Sequence, residues 1–254
     1  MKMHITHRPL RALLPLAASL LLAFVPVAQA TPLLTSAYET QLEAWLGQGD
    51  LVFTNVFTKQ AGDDAYDFHA AADGKGATFT LMSISGPGWW GTFDLPNQII
   101  GGYNPQSWSS VGNWNLSPSD GERTAFLYNL TSGIIQKQNL TGQGFIDSGL
   151  YQTYGVGFYG PTFGGGHDLY TSDSLNNGYA YNWSFGGTSS GDEIISGGPN
   201  YSTYSLFNIG ALEVWTFAPA QTQGGGNTVP DTTATLGLLG AALLGMATLR
   251  RVMV

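Results

Sequence analysis

The sequence contains no cysteine. Disulfides, zinc–thiolate sites, iron–sulfur clusters and a thiol nucleophile are thereby excluded. Stability must come from an apolar core, which a domain of this size can build. Charge is scarce as well. Only 10 % of the 254 residues are Asp, Glu, Lys or Arg, well below the quarter usual in soluble proteins. Cations are scarcest. Of the nine Lys and Arg residues, Lys2, Arg8, Arg11, Arg250 and Arg251 lie in the two end segments. Only Lys59, Lys75, Arg123 and Lys137 remain beside all 17 acidic residues. So acidic a middle repels phosphate backbones, and nucleic acid is not an expected partner. Neither a Walker A loop nor a His-Glu-x-x-His motif occurs.

Glycine, at 35 residues, and aromatic side chains, at 13 %, are abundant. Together with Ser, Thr and Asn they suit short strands joined by tight turns. Tyr38, Leu42, Trp45 and Leu46 recur at helical spacing. That spacing predicts a helix over 37–47, with Ser36 as N-cap, Gly47 as its stop, and Glu39 and Glu43 on the solvated face. A second short helix is expected from about Asp64 to Ala72, capped by Asp63 or Asp64 and stopped at Gly74. Alternation predicts strands over 51–57 and 77–84. Further strands are expected near 98–103, 124–130, 133–138, 155–163, 168–171, 179–185 and 210–217.

The two ends differ from this middle. Residues 1–30 read as a secretory signal, with Lys2, Arg8 and Arg11 as a positive n-region and an apolar stretch from Leu13 to Val27. Ala28-Gln29-Ala30 forms a small-x-small cleavage site, so the mature chain is expected to begin at Thr31. At the other end, a Gly/Gln/Asn-rich linker over 219–228 leads to Val229, Pro230 and Asp231. Residues 232–249 are almost wholly apolar or small, long enough to span a bilayer as a helix. Arg250 and Arg251 would stay cytoplasmic. This order, over 229–254, resembles the PEP-CTERM sorting signal of Gram-negative bacteria. Asp231 stands where Glu is usual, and Thr232 where a second Pro would be. The resemblance implies an exosortase-type processing enzyme as a partner. It also implies transient anchoring in the inner membrane by the C-terminal helix, and a destination at the cell envelope or in the extracellular matrix.

The middle resembles a TLDc domain through six blocks in order. Leu42 to Leu46 resembles the leading helix. Phe68-His69-Ala70-Ala71-Ala72-Asp73-Gly74-Lys75-Gly76-Ala77-Thr78 resembles the hallmark Phe-His-x-x-Cys-Asp-x-Lys-Gly-x-Thr, with Ala72 in place of Cys. Ile100-Gly101-Gly102-Tyr103 with Ser107-Trp108, Ala125 to Leu130, Gly160 to Leu169, and Leu212-Glu213-Val214-Trp215 resemble the remaining blocks. The resemblance implies a mainly β (α+β) domain over 31–218, a two-sheet antiparallel β-sandwich with small flanking helices. The family's eukaryotic members are linked to oxidative-stress protection and to the vacuolar proton pump. Gly86 to Phe93 reads as an insertion, and the regions 147–160 and 186–201 look particular to this chain.

Candidate chemistry is thin. His69 and His167, beside Asp73 and Asp168, are the side chains able to serve as base or metal ligand. Helix packing for His69 and a glycine turn for His167 explain them more simply. Asp63, Asp64, Asp67 and Asp73 are dense enough to suggest Ca²⁺ but lack EF-hand order, and helix capping explains them more simply. Otherwise no cofactor is expected. Gly101-Gly102 and Gly164-Gly165-Gly166 read as turn or bulge glycines. Trp108 and Trp183 are expected in the core. Trp89 and Trp90, flanked by Gly and Pro, are candidates for an exposed loop that stacks on sugar rings. Two functions remain open. One is an exported, non-catalytic binding or structural module associated with exopolysaccharide. The other is a secreted hydrolytic or metal-dependent enzyme using His69, His167 and nearby Asp.

Overall fold

The structure, a computed structural model, describes residues 31–89, 95–143, 147–186, 194 and 205–221. Ala28, Ala30, Trp90, Val229, Pro230 and Asp231 lie outside these, as does the expected C-terminal span. Among the described residues no helix is long and apolar enough to cross a membrane.

Helix α1 runs over Ser36–Leu46 and α2 over Ala65–Ala72. The strands are β1 (Leu51–Thr58), β2 (Thr78–Trp89), β3 (Leu95–Asn104), β4 (Val111–Leu116) and β5 (Phe126–Asn129). They continue with β6 (Ile134–Lys137), β7 (Tyr151–Val156), β8 (Leu169–Thr171), β9 (Asn177–Ala180) and β10 (Ser205–Pro219). Eight strands form one antiparallel sheet in the order β6-β5-β3-β2-β10-β9-β8, with β1 also on β10. The remaining pair, β4 and β7, makes a small second sheet. The fold is thus mainly β, two antiparallel sheets with flanking helices, as expected of this sandwich.

Side-chain alternation sends each central strand to two different interiors. Phe79 and Leu81 of β2 pack on one face with Tyr103, Phe126, Tyr128 and Leu42 of α1. Met82 and Ile84 point the other way, into a cluster with Ile100, Leu127, Phe163, Trp108 and Phe68 of α2. The small sheet reaches that second side through isolated bridges from Thr153 to Phe163 and from Phe163 to Leu169. Burying side chains of this size contributes roughly 1.5–3 kcal/mol each. The two interiors are therefore the main source of stability.

Local rules fix the helix ends. Thr35, not Ser36, caps α1: its backbone is extended, and its Oγ1 accepts from the Tyr38 N–H at 3.4 Å. Ser36 is already helical, so the cap falls one residue earlier than expected. Gly47 closes the helix at φ 72°, where a Cβ would be strained. Glu43 does more than face solvent, because its Oε1 accepts the Leu51 N–H at 2.8 Å and ties α1 to β1. Asp64 caps α2, and Asp67 reaches back to the Asp64 N–H in a capping box.

The strands also differ in places from expectation. The strand expected over 155–163 lies at Tyr151–Val156, and residues beyond it turn. Strand β4 is not among the expected elements, because Val111–Leu116 is mostly exposed and carries little hydrophobic alternation. Gly101 and Gly102 are in neither a turn nor a bulge but in the middle of β3. A Cβ on Gly101 would lie 1.7 Å from the Thr80 carbonyl oxygen, and one on Gly102 would lie 2.6 Å from the Phe163 ring. Close approach of backbone and ring, not backbone conformation, demands glycine there.

Candidate functional site

The His and Asp candidates are occupied by structural contacts. His69 is buried on α2, and both its ring nitrogens face oxygen acceptors. Nδ1 lies 2.7 Å from Asp73 Oδ1, and Nε2 lies 3.1 Å from the carbonyl oxygens of both Val156 and Tyr159. The imidazole staples α2 to the end of β7. His167 is half-buried in the glycine turn, at φ 57°. Its ring sits among Trp114, Tyr154, Tyr159 and Tyr170, with centroids 5.5–5.8 Å away. Burial lowers its pKa below the ordinary histidine value. Tyr159 meets both histidines, but by different parts: its carbonyl holds His69 and its ring packs on His167. Asp63 Oδ2 accepts from the Gln60 N–H at 2.8 Å, while Asp64 and Asp67 serve the α2 cap. Among the described residues, no three His, Asp or Glu side chains are grouped to hold a metal ion.

A recess of about 380 Å³ opens elsewhere, between β4, β7 and the segment after β9. Its lining is Trp114, Tyr151, Gly165, Gly166, Tyr181 and Trp183. Trp114 packs edge-on against Tyr151 at 5.1 Å and tilted on Tyr154 at 4.4 Å. Tyr181 and Trp183 lie nearly parallel, at 26° and 6.2 Å between centroids. The four lining rings are half-buried. Trp183, expected in the core, is thus part of a groove wall, whereas Trp108 is in the core as expected and donates from Nε1 to Thr78 at 2.8 Å. Glycines leave room for the rings: a Cβ on Gly165 would come within 2.9 Å of Tyr151, and one on Gly166 within 3.0 Å of Trp183.

Asp168 sets this wall. It is fully buried, and its Oδ2 accepts three successive N–H groups, from Trp183, Ser184 and Phe185 at 2.6, 2.7 and 3.1 Å. Its carbonyl oxygen accepts the Tyr181 N–H at 2.8 Å. Desolvation pushes the carboxyl up to about 7, against the pull of those N–H groups. Asn139 Nδ2 and Ser148 Oγ both donate to the Trp183 carbonyl oxygen, at 3.0 and 2.6 Å. The main chain bearing both rings is therefore clamped by buried polar groups on several sides.

Comparison with family models matches residues 51–218 to the TLDc domain. The chain belongs to the TLDc-domain family. Comparison with curated proteins gives no match. Within this TLDc domain the motif blocks do structural work. Phe68 packs edge-on against Trp108 at 5.4 Å. Glu213 accepts from the Leu33 N–H and from Trp215 Nε1, both at 3.0 Å. The stretch Gly160–Leu169 supplies the Asp168 clamp, and at Gly164 a Cβ would lie 1.9 Å from Asp168 Oδ1. Trp89 ends β2 opposite Ser205 of β10. Gly86 to Trp89, expected in a loop, therefore belongs to a strand.

Proposed function

We propose that this TLDc domain is a non-catalytic binding module, exported and held at the cell envelope or in the matrix, with exopolysaccharide as its partner class. One observation carries the non-catalytic reading. Among the described residues the groove is walled by rings and glycines, with no carboxylate, imidazole or amine on its lining, while both nitrogens of His69 and one oxygen of Asp168 are taken up in structural hydrogen bonds and His167 is packed among aromatic rings. General acid–base chemistry needs such a group within hydrogen-bond reach of the substrate. The two end segments support the address. The first reads as a signal cleaved before Thr31, and the second as a PEP-CTERM tail at Val229-Pro230-Asp231, processed by an exosortase-type enzyme. The acidic middle of the chain suits solubility outside the cell.

Fractionation of the native host with mass spectrometry of both termini tests this address. The expected species begins at Thr31 and is recovered from envelope or medium. Recovery of the uncut chain from the cytosol would overturn the reading.

A further inference from the structure

From the geometry of the aromatic recess we infer a binding subsite for uncharged sugar rings, with Tyr181 and Trp183 as the stacking platform and Trp114 as the facing wall. This rests on the reading of the domain as a binding module and adds its place and ligand class. Four features lead there. First, Tyr181 and Trp183 form a stacked pair, 26° from parallel with centroids 6.2 Å apart, and a ring face on the recess wall is what receives the apolar C–H face of a pyranose. Second, among the described residues the lining carries no charged side chain, although the chain as a whole is acidic. A phosphate or carboxylate ligand would find no cation there, so an uncharged ligand fits better than an anion; a quaternary ammonium held by the ring faces is the alternative that choline tests. Third, its volume of about 380 Å³ lies in the range of small-molecule sites, ~300–1,000 Å³. Tyr151 and Trp114 add a phenol hydroxyl and an indole N–H as the few polar groups such sites need for orientation. Fourth, the rings are pre-positioned. The Asp168 carboxylate and the Asn139 and Ser148 side chains fix the main chain around Trp183. A platform ordered before binding loses little entropy when it is occupied.

Fixed aromatic faces in a half-buried recess are costly to leave in water. The core offers no such explanation for them, because the sheet's two interiors are filled by other side chains. Trp89 and Trp90, the pair that the sequence offers for ring stacking, serve as the comparator.

The test uses the full-length chain, purified in detergent. Intrinsic tryptophan fluorescence is titrated with cellohexaose, maltohexaose and a soluble galactomannan, and separately with choline chloride. The chains compared are wild type, Trp183→Ala, Trp114→Ala, Trp183→Phe and the double variant Trp89→Ala/Trp90→Ala. Thermal melts establish that each is folded. We expect saturable binding of at least one neutral saccharide. Trp183→Ala and Trp114→Ala should each weaken it by about tenfold. Trp183→Phe should retain it within a few-fold, and the Trp89/Trp90 variant should bind as wild type does. Loss of binding only in the Trp89/Trp90 variant would overturn this subsite while leaving the module reading intact. No response to any saccharide up to about 10 mM, or a response to choline alone, would overturn the sugar assignment.

Discussion

Replacing Asp168 with asparagine probes the interaction on which the groove wall depends. The carboxyl is displaced from its ordinary 3.8 to about 7, which corresponds to about 4 kcal/mol at ~1.4 kcal/mol per pH unit. The sign follows from which state holds the proton. The folded chain binds it more tightly than the unfolded chain does. Between about pH 4 and pH 7 the unfolded carboxyl releases its proton and the folded one keeps it. Stability from Asp168 is therefore complete below about pH 4 and is lost as pH rises through about 7. His167 acts in the opposite sense. Its pKa is lowered by burial, so its contribution is present above the ordinary histidine range and is lost as pH falls. The side-chain amide of the Asp168→Asn variant would keep a carbonyl oxygen for the three N–H groups but would not titrate. Urea unfolding of wild type and Asp168→Asn, followed by fluorescence from pH 4.5 to 8, isolates the effect by difference. The stability of wild type relative to the variant should fall by a few kcal/mol across that range. Parallel curves would show that the carboxyl is ionised throughout, with its three N–H donors outweighing desolvation, and would refute the argument.

Two further outcomes bear on the scaffold. Gly101→Ala should destabilise by about 3 kcal/mol or more, because its Cβ would collide with the Thr80 carbonyl oxygen inside a paired strand. Gly102→Ala should cost less, since its nearest neighbour is a ring that can shift; denaturant midpoints distinguish the two. His69→Ala should cost about 2–4 kcal/mol, because it strands the Val156 and Tyr159 carbonyls and Asp73. A variant that melts like wild type but loses a metal-dependent activity would instead return His69 to the list of catalytic candidates.

Elements governed by neighbours in sequence are the readable ones. Helical spacing places α1, cap and stop residues place α2, and Asp64 is legible as a cap because its partners are two and three residues away. Alternation places the core of β2, and the Phe-Leu-Tyr-Asn run places β5. Elements governed by distant partners are harder to read. β4 exists because it pairs with β7, and its own side chains are too exposed to announce a strand. The glycines of β3 look like turn residues until the Thr80 carbonyl and the Phe163 ring are brought beside them. The groove is the least legible feature. Its rings come from positions 114, 151, 181 and 183, and only the antiparallel pairing and the Asp168 clamp gather them. Tryptophan content points to ring stacking, but nothing local in the sequence favours Trp183 over Trp89 and Trp90.

Strand β10 has a mechanical consequence. It is bonded to β2 over Ser205–Thr216 and to β1 over Glu213–Pro219, so Glu213–Thr216 is gripped on both flanks and the last three residues by β1 alone. Tension applied to the polypeptide beyond Pro219 runs along the strand axis. Hydrogen bonds on both flanks would then share the load at once, as rivets do, instead of opening one after another like a zip.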